Sequence, residues 1–525
     1  MSPTKRSSAA KIVVIGAGIG GLTAAALLQR AGHQVTVLEG HVYPGGSAGT
    51  FYHQGFRFDA GATLAGGFGP SGPHTRVAEL LDLEWPVKPV DPVWVVHLPD
   101  GQRVTQWTDP VAWQEERRRA FPGMESFWNL QERLADISWD ISSRSFPWPP
   151  QSAGDLFRLG LAVRPRTLIS LPYLNQTVGQ MIQTEDPMFR AFLDGQLLIA
   201  AQTTAAHTNA LYGSAALDLP RRGVNHIRGG IGSLARTLVD WIRANGGEVL
   251  YRQRVINIEI GARGQTTAVH TNKGHRLSGD FFLANLTPWA LAELLGEDAP
   301  PAMTRNIARL EPTWGAFTLY LGLDESRLPG NIADHHQVII DHHRPLGEGN
   351  SVFISLSDAG DPARAPAGMR AATLSTHTEI SPWWQLRQGI DGSAHLRRRE
   401  EYAERLLKAA EIAVPGLRQT VRLCLPGTPV TFQYYTGRPL GMVGGFPQTS
   451  IFNARGPKTG INNMWLVGDS IFPGQSTAGV TLGAMRVAAE VDRAASRLTR
   501  SFSSVTLPSQ EKLNHETKPA STLSD

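Results

Sequence analysis

Lys11-Ile12-Val13-Val14-Ile15-Gly16-Ala17-Gly18-Ile19-Gly20-Gly21 stands near the start of this 525-residue chain. A β-branched run feeds directly into Gly16-x-Gly18-x-x-Gly21 and then into an alanine-rich segment that reads as a helix starting near Gly20. Gly16 permits a tight turn, Gly18 lets the backbone approach a pyrophosphate, and Gly21 lets helix and strand pack closely. The phosphates would sit at the positive end of that helix. A second hydrophobic strand, residues 34–38, ends in Glu39, at the spacing expected of an acid that accepts both ribose hydroxyls. Strand, glycine turn, helix and acid together predict a dinucleotide site.

Beyond this unit lie the glycine loop Pro44-Gly45-Gly46-Ser47-Ala48-Gly49-Thr50, a strand-like stretch at 51–58, Asp59, and the small-residue loop Gly61-Ala62-Thr63-Leu64-Ala65-Gly66-Gly67. Such loops let a large flat ligand lie against backbone. From about residue 80 to 219 the texture changes to tryptophans, prolines and helical periodicity, which reads as a substrate region. Nucleotide-fold texture returns with Gly229-Gly230-Ile231-Gly232, a helix through Ala244, strands at 248–260 and 268–271, and the run 279–285. A second substrate segment, 304–440, contains a strand at 314–323. The chain comes back once more at 463–470, a strand ending in a polar turn. The expected division is a disordered lead at 1–10, nucleotide-binding segments at 11–79, 220–303 and 441–500, substrate segments at 80–219 and 304–440, and a disordered tail at 501–525.

Composition narrows the chemistry. Net charge is +4 and no basic stripe interleaved with aromatics occurs, so nucleic acid is not an expected partner. The single cysteine, Cys424, excludes an intramolecular disulfide and any Cys-x-x-Cys motif, so redox work needs an external cofactor. Walker and His-Glu-x-x-His signatures are missing. His335, His336, His342 and His343, with Asp334 and Asp341, lack standard zinc spacing and read as a polar hairpin loop, so no metal is expected. Trp383 and Trp384 read as core or tunnel residues rather than as a cation site. No run of about 18 apolar residues predicts a spanning helix. The stretch 156–174, LFRLGLAVRPRTLISLPYL, is apolar but interrupted by Arg158, Arg164, Arg166 and two prolines. It could lie in a headgroup layer with its arginines toward anionic lipids, or pack as an ordinary amphipathic helix pair.

The fingerprint at 11–21, the loop at 44–50 and the closing Gly468-Asp469-Ser470-Ile471-Phe472-Pro473-Gly474-Gln475-Ser476-Thr477-Ala478-Gly479-Val480 together resemble the flavin-dependent carotenoid desaturases and carotene isomerases, across nearly all of 11–497. Within that family, 70–76, 107–128, 207–212, 222–232 and 476–480 are most similar to the cyanobacterial C-3',4' carotenoid desaturases. The resemblance implies a Rossmann-type α/β FAD-binding fold of the amine oxidase and phytoene desaturase kind, with an inserted mixed α+β substrate domain. It implies FAD as cofactor and a carotenoid as substrate. It also implies monotopic contact with a membrane surface, on the cytoplasmic side, and an electron acceptor such as quinone or oxygen.

The cofactor set so implied is Gly16, Gly18, Gly20, Gly21, Glu39, Gly45, Gly46, Ser47, Thr63, Val255, Gly468, Asp469, Thr477, Ala478, Gly479 and Val480. Asp469 would hold the ribityl hydroxyls, the amides of 477–480 would face the flavin ring, and Val255 would offer backbone to adenine. Asp469 and Val255 also suit plainer roles, as a helix cap and a core valine. Many family members carry arginine after the Gly45-Gly46 pair, where this chain has Ser47, which weakens the expected pyrophosphate clamp. Serine there resembles the carotene isomerases. The activity implied is insertion of a C-3',4' double bond into an acyclic or monocyclic, hydroxylated carotene by hydride loss to flavin. No motif marks a catalytic acid or base. Cis-trans isomerase, phytoene-type desaturase and amine oxidase remain alternatives. A non-enzymatic prenyl-lipid carrier would have no need of the intact Gly16–Gly21 turn, Glu39 and Asp469.

Overall fold

A computed structural model describes residues 9–144, 148–150, 152–310, 313–388 and 392–505. Five parallel strands form the first sheet, in the order Glu248–Leu250, Gln34–Leu38, Lys11–Ile15, Phe281–Ala284, Met464–Leu466. They arrive from three separated parts of the chain. Each is nearly continuous in apolar residues, as strands buried on both faces must be. Helices Ile19–Arg30, Gly232–Ala244 and Thr477–Val505 cover them and close one large core.

The stretch expected as one strand at 248–260 divides. Glu248–Leu250 extends the parallel sheet, whereas Val255–Ile260 leaves it for a three-stranded antiparallel sheet with Thr266–Thr271 and Arg276–Ser278. Between them, Arg252 and Gln253 donate their N–H groups to the carbonyls of His41 and Glu39 at 3.0 and 2.8 Å, which turns the chain away. The stretch at 51–58 is likewise a hairpin, Thr50–His53 with Phe56–Asp59, reversed at Gln54-Gly55.

A second sheet has seven strands, ordered Val421–Gly427, Gly315–Asp324, Met369–Thr378, Ser351–Leu356, His335–Ile339, Trp94–His97, Arg103–Gln106. His335–Ile339 pairs parallel with Trp94–His97, so both substrate segments build one sheet. Helix Ser393–Ala413 buries Tyr402, Leu406, Ala409 and Ala410 against it. Trp113 and Trp128 are core residues of a helical cluster at the other end, with the Arg117 guanidinium 5.4 and 5.2 Å from their ring centres. The two units are tied at Asp59. Its Oδ1 accepts from Thr50 Oγ1 at 2.7 Å and from Ile231 N–H at 2.9 Å, and its Oδ2 pairs with Arg364 at 2.9 Å.

The closing helix runs on to Val505, past the residue-501 boundary drawn for the tail. Residues 1–8 of the lead and 506–525 of the tail lie outside the described residues.

Candidate functional site: a dinucleotide cradle beside a cleft

At the C-terminal ends of the parallel strands, where open α/β sheets bind ligands, Gly16 takes φ +94° and donates its N–H to the Leu38 carbonyl at 2.8 Å. Gly45 N–H donates to the Ala17 carbonyl at 2.8 Å, laying the second glycine loop along the first. A Cβ on Gly21 would overlap the Gly16 carbonyl, and one on Gly20 would stand 3.0 Å from Gly468 Cα and Val480 Cγ1. Gly20, Gly21, Gly468 and Val480 therefore serve close packing of helix on strand. At Gly46 the nearest atom to an added Cβ is Gly18 Cα, 3.9 Å away. That open space lies before the first turn of Ile19–Arg30, whose leading amides have no intrahelical acceptor.

Glu39 is aimed by two amides: Oε2 accepts from Ala17 N–H at 2.8 Å and Oε1 from His41 N–H at 2.7 Å. Burial pushes its carboxyl above the ordinary range, opposed by those amides and by Arg254. Each oxygen keeps a lone pair for a sugar hydroxyl. Val255 begins its strand two residues after Gln253, whose N–H bonds the Glu39 carbonyl, and its side chain belongs to the core. The Ser47 carbonyl accepts from Ala62 N–H at 3.3 Å, next to Thr63 in the chain, and Ser47 is exposed on the same loop as Gly46.

Around Asp469 the structure adds a residue that the sequence reading missed. Arg438 Nη1 donates to Asp469 Oδ2 at 2.8 Å, while its Nε and Nη2 donate to the carbonyls of Met442 and Gly444. The 477–480 expectation needs correction. Ser476, at φ +73°, caps the closing helix with Oγ accepting from Gly479 N–H at 3.1 Å and its carbonyl from Val480 N–H at 2.9 Å. The Gly479 and Val480 amides are thus occupied, and only those of Thr477 and Ala478 remain for a ligand. A second missed residue is Asn285. With its amide oriented to satisfy both neighbours, its oxygen accepts from Gly18 N–H at 3.1 Å and its nitrogen donates to the Val467 carbonyl at 3.2 Å. An asparagine directly after a buried apolar strand was the available signal.

A cleft of about 990 Å³ opens from the Asp469–Gly474 turn toward Gln202, Tyr212 and Trp314. Phe472 and Tyr212 face each other at 6.1 Å, and Trp148 stands 6.2 Å from Phe472. His377, behind Trp314, is held neutral by burial, at about 4.

The polar hairpin loop expected of the histidine cluster holds for Asp341, His342 and His343, which lie in the loop between His335–Ile339 and Ser351–Leu356, and fails for the other two histidines. His335 and His336 sit inside a central strand, fully buried, with side chains on opposite faces: His335 Nδ1 meets Ser355 Oγ at 2.9 Å, and His336 Nδ1 meets His97 Nε2 at 3.2 Å. His342 and His343 lie beyond the strand end. Among the described residues no three ligating side chains gather. Trp383 is core, stacked on Phe317, yet it does carry a cation, the Arg398 guanidinium 5.0 Å from its ring.

Across residues 19–492 the sequence matches the family described as flavin containing amine oxidoreductase. The chain belongs to that family. Its similarity to prolycopene isomerase 2 of an Oncidium hybrid cultivar is 29% identity, covering 91% of this chain and 84% of the relative. The neurosporene-forming phytoene desaturase of Rhodobacter capsulatus is 24% identical, covering 90% of this chain and 91% of the relative. A crystal structure of an oxidoreductase from Methanosarcina mazei shares the fold, with TM-score 0.62 and 21% identity over 91% of this chain and 99% of the other. This flavin amine oxidoreductase is an FAD-dependent enzyme. The residues present fit the group: open space at Gly46, two aimed oxygens at Glu39, and a held carboxylate at Asp469.

Proposed function

We propose that the protein is a carotenoid desaturase that inserts a C-3',4' double bond into an acyclic or monocyclic, hydroxylated carotene. The observation that carries this reading is the cleft, which starts at the turn bearing Asp469 and runs past Phe472, Tyr212 and Trp314 among polar side chains, with a volume suited to a long molecule. A carotenoid desaturase and a prolycopene isomerase are both similar over nine-tenths of the chain.

Gly16, Gly18, Glu39, Gly46 and Asp469 would hold FAD, with Ser47 and Thr63 at its edge. When bound, FAD supplies hydride acceptance. The chain's own contribution would be positional: Phe472, Tyr212 and Trp314, which line the cleft, would hold the polyene flat beside the cofactor. Desaturation removes a hydride and a proton from the two carbons: the hydride would pass to FAD, the proton to water, and the electrons onward to an acceptor such as quinone or oxygen.

The substrate would arrive from a membrane. Helix Ala153–Ala162 and the turn Pro165–Tyr173 expose Leu156, Phe157, Leu161, Leu168 and Leu171 by 54–73%. That supports peripheral contact by the stretch 156–174, which we place by proposal on the cytoplasmic side. Arg164 and Arg166, with Arg144, converge on Asp140, so part of the charge meant for lipids is answered internally. No helix among the described residues is long and apolar enough to cross a membrane.

A second reading is cis-trans isomerisation, favoured by the 29% identity to the Oncidium prolycopene isomerase and by Ser47. Expression in a pigment-producing host, with mass spectrometry, separates the two. Loss of two mass units with a red shift supports desaturation; unchanged mass with altered retention supports isomerisation. Inertness toward every carotenoid with FAD bound points to an amine oxidase.

A further inference from the structure

Arg455 stands in the wall of the cleft proposed to take the polyene, which Arg309 and Glu379 also line. It lines the cavity, its guanidinium carbon lies 5.4 Å from the centre of the Phe446 ring, and its Nε is buried with no hydrogen-bond partner. Among the described residues no carboxylate pairs with it. Asp469, which also lines the cleft, is already engaged by Arg438 at 2.8 Å, and Glu379, which lines it too, forms no ion pair with Arg455. The Phe472 N–H donates to the Arg455 carbonyl at 2.8 Å, so the backbone at Arg455 is fixed to the aromatic that faces Tyr212. Phe446 is in turn backed by Trp289 at 5.2 Å. The guanidinium therefore lies over one ring of an aromatic pair.

A guanidinium offers donors only and cannot shed its charge. Packing a pure hydrocarbon against it would strip its water and return nothing, a cost that buried polar groups avoid by finding a partner. Burial already bears on this side chain, drawing its proton affinity below the usual arginine value. A ligand that matches the cleft must bring an acceptor oxygen to this wall.

We infer that Arg455 is a specificity-determining residue that donates to an oxygen substituent, a carbonyl or hydroxyl oxygen, on the polyene. The inference rests on the carotenoid reading proposed above.

The test uses FAD-loaded full-length protein with three probes in detergent: lycopene as hydrocarbon, and acyclic carotenes bearing one hydroxyl or one keto group. Binding is read from perturbation of the flavin spectrum and the reductive half-reaction from anaerobic bleaching. Wild type should bind the oxygenated probes about tenfold more tightly than lycopene, the scale of one charge-assisted hydrogen bond. Arg455→Met should erase that preference while lycopene affinity and the FAD content stay unchanged, and Arg455→Lys should restore part of it. The inference is overturned by a wild type without preference, by an Arg455→Met loss equal for all probes, or by FAD loss in that variant, which would assign Arg455 to the flavin. Should Arg455→Met not fold, the wild-type preference and the Arg455→Lys ratio decide. If no probe binds although FAD is present, the carotenoid reading itself falls, and this inference with it.

Discussion

Arg438 reaches across from the second substrate segment to place Nη1 2.8 Å from Asp469 Oδ2, so the carboxylate expected to hold the ribityl chain is oriented by a residue 31 positions earlier. The same guanidinium grips the carbonyls of Met442 and Gly444, at the head of the loop that forms one wall of the cleft. Cofactor site and cleft wall are thus mechanically joined.

Breaking that joint should show in both places. Arg438→Ala is expected to lower FAD affinity and thermal stability by about 1–2 kcal/mol, a range already reduced for solvent screening of a partly exposed pair. Asp469→Ala should impair flavin retention more than His343→Ala, and chelators should leave activity intact. Activity lost to a chelator and restored by zinc or iron would overturn the dismissal of the histidines.

Glu39→Ala should weaken FAD binding by roughly 1.5–3 kcal/mol, about 10- to 150-fold, because charge-assisted bonds to the ribose are lost. The ionised carboxylate is the form that accepts two hydroxyls, and burial raises its pKa. Acidification therefore protonates Glu39 before ordinary carboxylates, and FAD affinity should fall as pH drops through that raised value and recover above it. Flavin fluorescence titrations across pH check this, since Glu39→Gln should lack the step.

Two glycine substitutions should part company. Gly21→Ala forces a methyl into the Gly16 carbonyl and should destabilise the fold itself by about 1–3 kcal/mol. Gly46→Ala meets no protein atom closer than 3.9 Å. Apart from the roughly 1–2 kcal/mol of an αL residue with a Cβ, its effect should appear as lost FAD affinity. Equal losses of melting temperature and affinity in both variants would refute the distinction.

Asn285→Ala removes the bridge from Gly18 to Val467 and leaves an amide and a carbonyl without their partner, so a loss of about 1–3 kcal/mol is expected. Asn285→Asp keeps the acceptor for Gly18 but sets a carboxylate against the Val467 carbonyl, and should recover only part. Chemical denaturation of the apoprotein measures both.

Phe157→Glu with Leu161→Glu should reduce sedimentation with anionic liposomes while leaving the melting temperature unchanged, because both side chains are exposed, by 69% and 73%. Binding should also weaken in salt. Unaltered liposome binding by the double variant would remove 156–174 from the membrane face.

What the chain could declare by itself was local. The turn at Gly16, the helix behind it and Glu39 form one strand-turn-helix-strand unit, in which neighbours in sequence are neighbours in space, so spacing alone encodes the geometry. The returns of apolar strand texture near 281–284 and 464–466 were legible for the same reason: strands buried on both faces must be continuously apolar. Only the tertiary structure could show that His335 and His336 are buried, since that depends on Trp94–His97 pairing beside them from 238 residues away. The parting of Glu248–Leu250 from Val255–Ile260 depends likewise on backbone bonds to Glu39 and His41. Asn285, Arg438 and Arg455 carry no motif, because their partners or their lack of one are set by chain segments that meet only after folding. Local periodicity records which face of an element is buried; it does not record what that face meets.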